Sequence, residues 1–323
     1  MKVKDIVADG LTVASCCVGA GFLSGKEAQL YYGNVWCVIA FVTVFCALTF
    51  VVRAFAAKNN CKDVAALTAA CCPKFHAALC GLVTLCCFVC VVAIISGAAS
   101  CLNGLLLPKF DAVYGLIIGL MGVIVVKKGL RALKILNVVS LVVVALYLIL
   151  SALEKDHGAF QPLDTPLYAS IVYATFSVTM ALGLLTKVAQ PDRKSNVTAT
   201  LIAGAALVVL TLSVLLLCDF DLPLPLLHKT DNTALNVLGG AAVILCSVTG
   251  VCSNALPIVD SVKDVFDGDV TLCLMVTFAL AVALSLVGVD FVMKYGYLLV
   301  SCVGVVIVGG CMQIAIKRRQ KSI

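Results

Sequence analysis

The stretch Val18-Gly19-Ala20-Gly21-Phe22-Leu23-Ser24-Gly25-Lys26-Glu27 sets three glycines inside an apolar run that extends from about Ile6 to Tyr31. Glycine at 19, 21 and 25 removes side chains and allows backbone angles that other residues avoid. Two readings stand. Either the glycines let a membrane helix pack closely against a neighbour, or they interrupt the helix at Gly19-Ala20-Gly21. In the second case the half-helix that resumes near Phe22 would present free N–H groups and a partial positive charge, which stabilise a carboxylate. Two nucleotide motifs come near and fail. A P-loop needs Gly at Ala20 and Ser or Thr at Glu27, and the dinucleotide fingerprint needs Gly at Ser24; neither stretch follows a strand.

The rest of the chain surrounds this stretch with lipid. Of 323 residues, 62% are hydrophobic and 12% charged, against about 45–50% and about 25% in soluble domains. Apolar segments of roughly 20 residues, enough to cross a hydrocarbon core as a helix, recur throughout. They fall at about Ile6 to Tyr31, Val35 to Phe55, Ala77 to Leu102, Phe110 to Val126 and Leu133 to Leu153, then at about Leu167 to Val188, Val197 to Cys218, Ala234 to Ile258, Val270 to Val289 and Tyr295 to Ile316. That is an all-α membrane protein of ten transmembrane helices in a single domain, 1–323. The connections carry breakers, as in Pro73-Lys74, Pro108-Lys109, Pro191-Asp192-Arg193 and Pro223-Leu224-Pro225. Lys2 and Lys4 mimic the start of a signal peptide, but Asp5 and Asp9 interrupt the apolar stretch beside them, so the first helix is expected to be retained.

Lys and Arg set the orientation. With a cytoplasmic N-terminus, 18 of the 23 basic residues fall inside, including the tail Lys317-Arg318-Arg319 with Lys321. Only Lys26, Lys109, Lys155, Lys229 and Lys294 fall outside. Both termini are thus expected in the cytoplasm, and the net charge of +6 is a topology signal rather than a sign of nucleic-acid binding. Five spans lie on each side of the acidic connection Glu154 to Asp164. Because five is odd, two repeats, about 5–153 and about 165–317, would run in opposite senses, the inverted arrangement of many transporters.

Eighteen cysteines would suggest disulfides in a small secreted protein. Here nearly all of them lie inside apolar spans, where cysteine acts as a small hydrophobe. His76, His157 and His228 are scattered near helix ends, so neither a metal site nor another cofactor is expected.

The run Gly-Ala-Gly-Phe-x-Ser-Gly-x-Glu, Gly19 to Glu27, resembles the signature of the YkvI-like family of bacterial membrane proteins. More loosely it resembles the Gly-x-Gly-Ile-Phe segment of the amino acid–polyamine–organocation transporters. Lys26 departs from the Gln expected there, and Leu23 replaces the usual Ala. The resemblance implies a bacterial inner-membrane location and a LeuT-like 5+5 inverted repeat with helices 1 and 6 interrupted. It implies a solute site made by Gly19, Ala20, Gly21 and Phe22 with Tyr173, Thr175, Phe176 and Ser177 of the sixth span. It also implies a sodium site, with Ser247 and Thr249 of the eighth span opposite the carbonyls of about Ser15 to Gly19, Val18 among them.

Each residue also has a plainer reading. No Gly or Pro breaks the sixth span near Tyr173, and its Ser and Thr can back-bond to the preceding turn. Ser247 and Thr249 can be ordinary interhelical hydrogen-bond formers. The fifth span carries only Lys134, near one end. In a proton-coupled relative a central lysine there would replace sodium, and its absence leans toward sodium. Lys26 and Glu27 read as a solvated pair at the outer mouth of the first span, where they would gate a vestibule, with Glu27 as proton carrier or partner of a cationic solute the alternative.

The expected function is therefore secondary active transport: a cation-coupled symporter, sodium favoured, of an amino acid or similar small zwitterion, working in the lipid bilayer without covalent chemistry. A channel would need polar residues along several helix faces, and an embedded enzyme would need His, Asp or Glu clustered at one depth; the spans show little of either. A sensor that kept a transporter fold is the remaining rival. Gly115-x-x-x-Gly119 would serve either a homodimer or packing within the chain.

Overall fold

The computed structural model describes residues 3–106, 109–154, 162–227, 229–262, 266, 268–285 and 296–320. Among them the chain forms thirteen helices: α1 (Val3–Ser15), α2 (Ala20–Ser24), α3 (Lys26–Tyr31), α4 (Val35–Lys58), α5 (Val64–Cys71), α6 (His76–Leu105), α7 (Asp111–Lys127), α8 (Leu130–Glu154), α9 (Leu167–Lys187), α10 (Arg193–Leu217), α11 (Thr233–Val262), α12 (Val270–Ser285) and α13 (Tyr297–Gln320). Seven of these are long and apolar enough to cross a membrane, where the sequence reads ten spans. The difference has a physical cause. The first span divides into α1, α2 and α3, and α7, at 17 residues, falls short of the roughly 20 residues of a full crossing, while α12 has 16 residues among those described.

The helix surfaces identify the solvent. On α7, Leu116, Leu120 and Ile124 point outward, and on α8 Ile135, Val139, Val142, Leu146 and Ile149 do the same. Such continuous apolar faces suit lipid, and the chain is a multi-pass membrane protein. The helices α9 and α11 lie at the centre, buried over most of their length. Around them α6 packs on α11, α4 on α9 and α10, α1 on α10 and α8, and α13 on α9. Further out, α7 packs on α12 and α11, and α12 packs on α6.

Close contacts are made at small residues. A Cβ on Gly183 of α9 would stand 2.5 Å from Pro257 Cγ of α11, and one on Gly10 of α1 would stand 2.7 Å from Ala199 O of α10. The Gly115 and Gly119 pair is occupied within the chain: Gly115 faces Ile95 of α6 and Val282 of α12, and Gly119 faces Phe278 of α12.

Two expectations about interrupted helices are corrected. The break in the first span lies at residues 16–19, a turn earlier than Gly19-Ala20-Gly21. Tight turns from Cys17 N to Ala14 O and from Val18 N to Ser15 O close α1, and Gly19, in an extended conformation, opens α2. Ala20 and Gly21 are therefore helical, and a five-residue α2 has little of the dipole expected of a half-helix. The sixth span is not interrupted at all, since α9 runs unbroken from Leu167 to Lys187. Its hydroxyls bond back along the helix, Thr175 Oγ1 to Ile171 O, Ser177 Oγ to Tyr173 O and Thr179 Oγ1 to Thr175 O, which is the plainer reading of these residues.

Because Gly183 meets the ring of Pro257, Gly183→Leu should force α9 and α11 apart and cost about 1–3 kcal/mol or more. Thermal unfolding in detergent would register this as a lowered midpoint, and an unchanged midpoint would show that the two helices do not depend on this contact.

Candidate functional site

Glu27 is the centre of the site. Gly25, with φ of 79°, ends α2 and starts α3 in the left-handed region, where glycine carries no Cβ penalty. A side chain there would also strike Cys218 and Pro225. The turn directs Glu27 into the protein, where it is 4% exposed. Its Oε1 accepts a hydrogen bond from Tyr297 Oη of α13 at 2.8 Å. Its Oε2 accepts a short one from Tyr173 Oη of α9, and that phenol also lies 3.4 Å from Cys17 O in the break. One carboxylate thus links α3, α9 and α13. The solvated Lys26–Glu27 pair is corrected here: Glu27 is buried and only its neighbour Lys26 remains half-exposed.

Aromatic rings pack around these bonds. Tyr31 stacks on Tyr173 and Tyr297 with centroids 5.2 and 5.6 Å apart, and Phe176 stacks on Tyr297 at 3.7 Å. Tyr32, Phe41 and Phe45 extend the cluster toward α4.

A narrow cavity runs beside the break in two sections, each about 40 Å³, room for a few water molecules. Gly19, Ala93, Ile94, Glu27 and Tyr297 line both. The Lys26 section adds Ala20, Gly21, Ser24, Gly97 and Ser100. The opposite section adds Cys16, Cys17, Tyr173, Phe176, Ser177 and Asn254. Of the residues expected to bind solute, Gly19, Ala20, Gly21, Tyr173, Phe176 and Ser177 therefore meet at this cavity. Phe22 and Thr175 do not. Phe22 turns to Tyr32, and Thr175 packs against Gly304 of α13.

The expected ion-site residues do not assemble. Ser15 Oγ lies 3.2 Å from Asn137 Oδ1 and Ser140 Oγ of α8 rather than against α11. Thr249 Oγ1 bonds back to Cys246 O, and Ser247 Oγ is buried without a hydrogen-bond partner among the described residues. Val18 is buried, its N–H donating to Ser15 O. The α11 residues beside the break are instead Gly250, Ser253 and Asn254: Ser253 Oγ is 3.4 Å from Cys16 Sγ, and the other two line the cavity.

Along α1, before the break, lies a second polar cluster. Asp9 is wholly buried and pairs with Lys134 of α8, and Gln190 Nε2 donates to its Oδ2 at 3.2 Å. Arg53 of α4, also wholly buried, donates to Val188 O at 3.1 Å, while its Nε and Nη1 have no hydrogen-bond partner among the described residues. Lys187 pairs with Asp260 at 2.7 Å across α9 and α11. Tyr297, Asn254, Asp9 and Arg53 were not singled out in the sequence as site residues. Asp9 gave a usable signal, since an acid within an apolar span is costly and therefore informative.

Lys134→Met should destabilise the protein by about 3–5 kcal/mol, because Asp9 would remain buried without its cation. Adding Asp9→Asn should recover much of that loss. Melting points of the single and double variants that fall together would mean that Asp9 and Lys134 do not act as a pair.

No protein-family model matches the sequence, and no curated protein matches it. Solved structures do. The chain is similar to the manganese transporter of Eremococcus coleocola, crystallised with an aromatic bis-isothiourea substituted compound, with a TM-score of 0.60 and 15% identity over 95% of this chain and 75% of that one. It is similar to MhsT in complex with L-phenylalanine, with a TM-score of 0.64 and 12% identity over 93% of this chain and 87% of that one. At these identities the likeness is one of fold, and the fold is LeuT-like. The YkvI-like kinship expected from Gly19 to Glu27 has no counterpart among these matches.

Proposed function

We propose, with the LeuT-like fold as premise, that this chain is a secondary active transporter that carries an amino acid or similar small solute together with a cation across a bacterial inner membrane. The observation that carries the reading is the helix break at residues 16–19 beside a cavity whose wall holds a buried carboxylate, Glu27, bonded to phenols from two other helices. Freed backbone and an ionisable group at one depth are the marks of a transport site. The packing supports an inverted repeat of about 5–153 and about 165–317. Exchanging the two halves turns the α4–α9 contact into α10–α1, α13–α9 into α8–α1, and α11–α7 into α6–α12, and each of these is made. The Lys and Arg distribution supports cytoplasmic termini, so the Asp9 cluster would close the cytoplasmic side.

Of the cargoes named for the two similar structures, a metal and an aromatic amino acid, the aromatic wall of this cavity favours an organic solute. At about 40 Å³ per section, the cavity is too small for an amino acid, so α2 and α3 must move for it to enter. Sodium is the proposed coupling ion, held by carbonyls at the end of α1 with Ser253 in place of Ser247 and Thr249. A proton gradient is the second reading, favoured by the burial of Glu27.

Uptake of labelled amino acids into proteoliposomes tests this. Accumulation should require an imposed sodium gradient, and Glu27→Gln should reduce it about tenfold or more. Dependence on a pH gradient alone would select the proton, and uptake indifferent to both gradients would sink the coupled mechanism.

A further inference from the structure

Asn254 of α11 is 3% exposed and lines the cavity section opposite Lys26. Its Nδ2 donates to Gly250 O at 2.9 Å. A carbonyl only accepts, so the amide nitrogen must face Gly250 and the oxygen must face elsewhere. That oxygen is buried and has no hydrogen-bond partner among the described residues. Orphaned buried acceptors are uncommon and point to a partner the fold itself does not supply.

The surroundings define that partner. The same section holds the Glu27 carboxylate, and the two phenols nearest to it, Tyr173 and Tyr297, already donate to that carboxylate. Ser177 Oγ is committed to Tyr173 O. The section is thus lined by the Glu27 carboxylate and by Asn254, whose unanswered amide oxygen lies buried in its wall. Two acceptors side by side match a compact cation that carries several N–H donors.

We propose that Asn254 Oδ1 and the Glu27 carboxylate jointly receive the ammonium group of the transported solute. This rests on the reading of the cavity as the solute site and deepens it by fixing an orientation. The ammonium lies in the Asn254 section and the rest of the solute extends toward Lys26. The acceptors, rather than the short α2, then determine which end of a zwitterion enters first.

The test is binding to the purified full-length protein, read as a shift in melting temperature. Three probes are compared: a pool of L-amino acids, the matching pool of N-acetyl amino acids, and sodium chloride alone. The amino acids should stabilise the protein and the N-acetyl pool should not. Asn254→Ala and Glu27→Gln should each weaken the apparent affinity about tenfold or more. Asn254→Gln keeps an amide donor and an amide acceptor and should bind more tightly than Asn254→Ala, and it serves as the folding control if Asn254→Ala proves unstable. Equal stabilisation by the N-acetyl pool, stabilisation by neither pool, or an Asn254-dependent effect of sodium chloride alone would each overturn the proposal. Asn254-dependent ammonium binding without flux in proteoliposomes would sink the transport reading and leave this assignment standing. Flux without any preference for ammonium would do the reverse.

Discussion

A helix that stops at Ser15 and restarts at Ala20 inside a membrane must find partners for its freed backbone without bulk water. The rest of the structure depends on how this is met. Two of the freed carbonyls, Ala14 and Ser15, accept from the tight turns that close α1. Cys17 O lies within reach of Tyr173 Oη, Ala20 O receives the Cys101 thiol, and Gly21 O receives Ser24 Oγ. Ser24 O in turn receives Leu226 N from the connection after α10. The break is thus bonded to α6, α9 and the connection after α10, and α6 and α9 share the wall of the cavity with α11 and α13.

The cysteines take part in the same work. All eighteen are thiols, and several act as small, weak donors to backbone carbonyls within the protein. Cys16 reaches Thr12 O, Cys37 reaches Thr165 O and Cys252 reaches Gly122 O. A thiol is small enough to sit between closely packed helices and apolar enough to be cheap in lipid. These residues are the small hydrophobes that their place in apolar spans implies, and the structure adds that they also satisfy backbone acceptors where serine would cost more to bury.

How far the site was legible in sequence can be judged from particular residues. Gly19 to Gly21 and Gly25 allowed either close helix packing or an interrupted first span, and the ten-span pattern and the odd number of spans per half favoured the interruption. The burial of Glu27 was not legible, since a Lys-Glu pair next to a helix end looks solvated, and only the left-handed turn at Gly25 separates the fates of the two side chains. Tyr297 lies 270 residues from Glu27 along the chain, a pairing that no periodicity reveals. The sixth span looked capable of either a break or a continuous helix. Hydroxyls bonding back to the preceding turn decided for the helix, and so a single broken stretch, rather than two, faces the cavity. On α11 a misplacement of one to two turns separated the expected Ser247 and Thr249 from Ser253 and Asn254, because the sequence does not fix the height at which α11 passes the break.

The unequal lengths on either side of the break have a mechanical consequence. At about 1.5 Å per residue, the thirteen residues of α1 make a rod of about 20 Å and the five of α2 one of about 8 Å. A tilt of roughly 10° about residues 16–19 would carry the far end of α1 about 3 Å sideways, and the far end of α2 only about 1 Å. A pivot there would therefore amplify in one direction. A small displacement of α2 would be returned as a larger sweep at the start of α1, and Asp9, part-way along that rod, ties it to Lys134 of α8 and to Gln190.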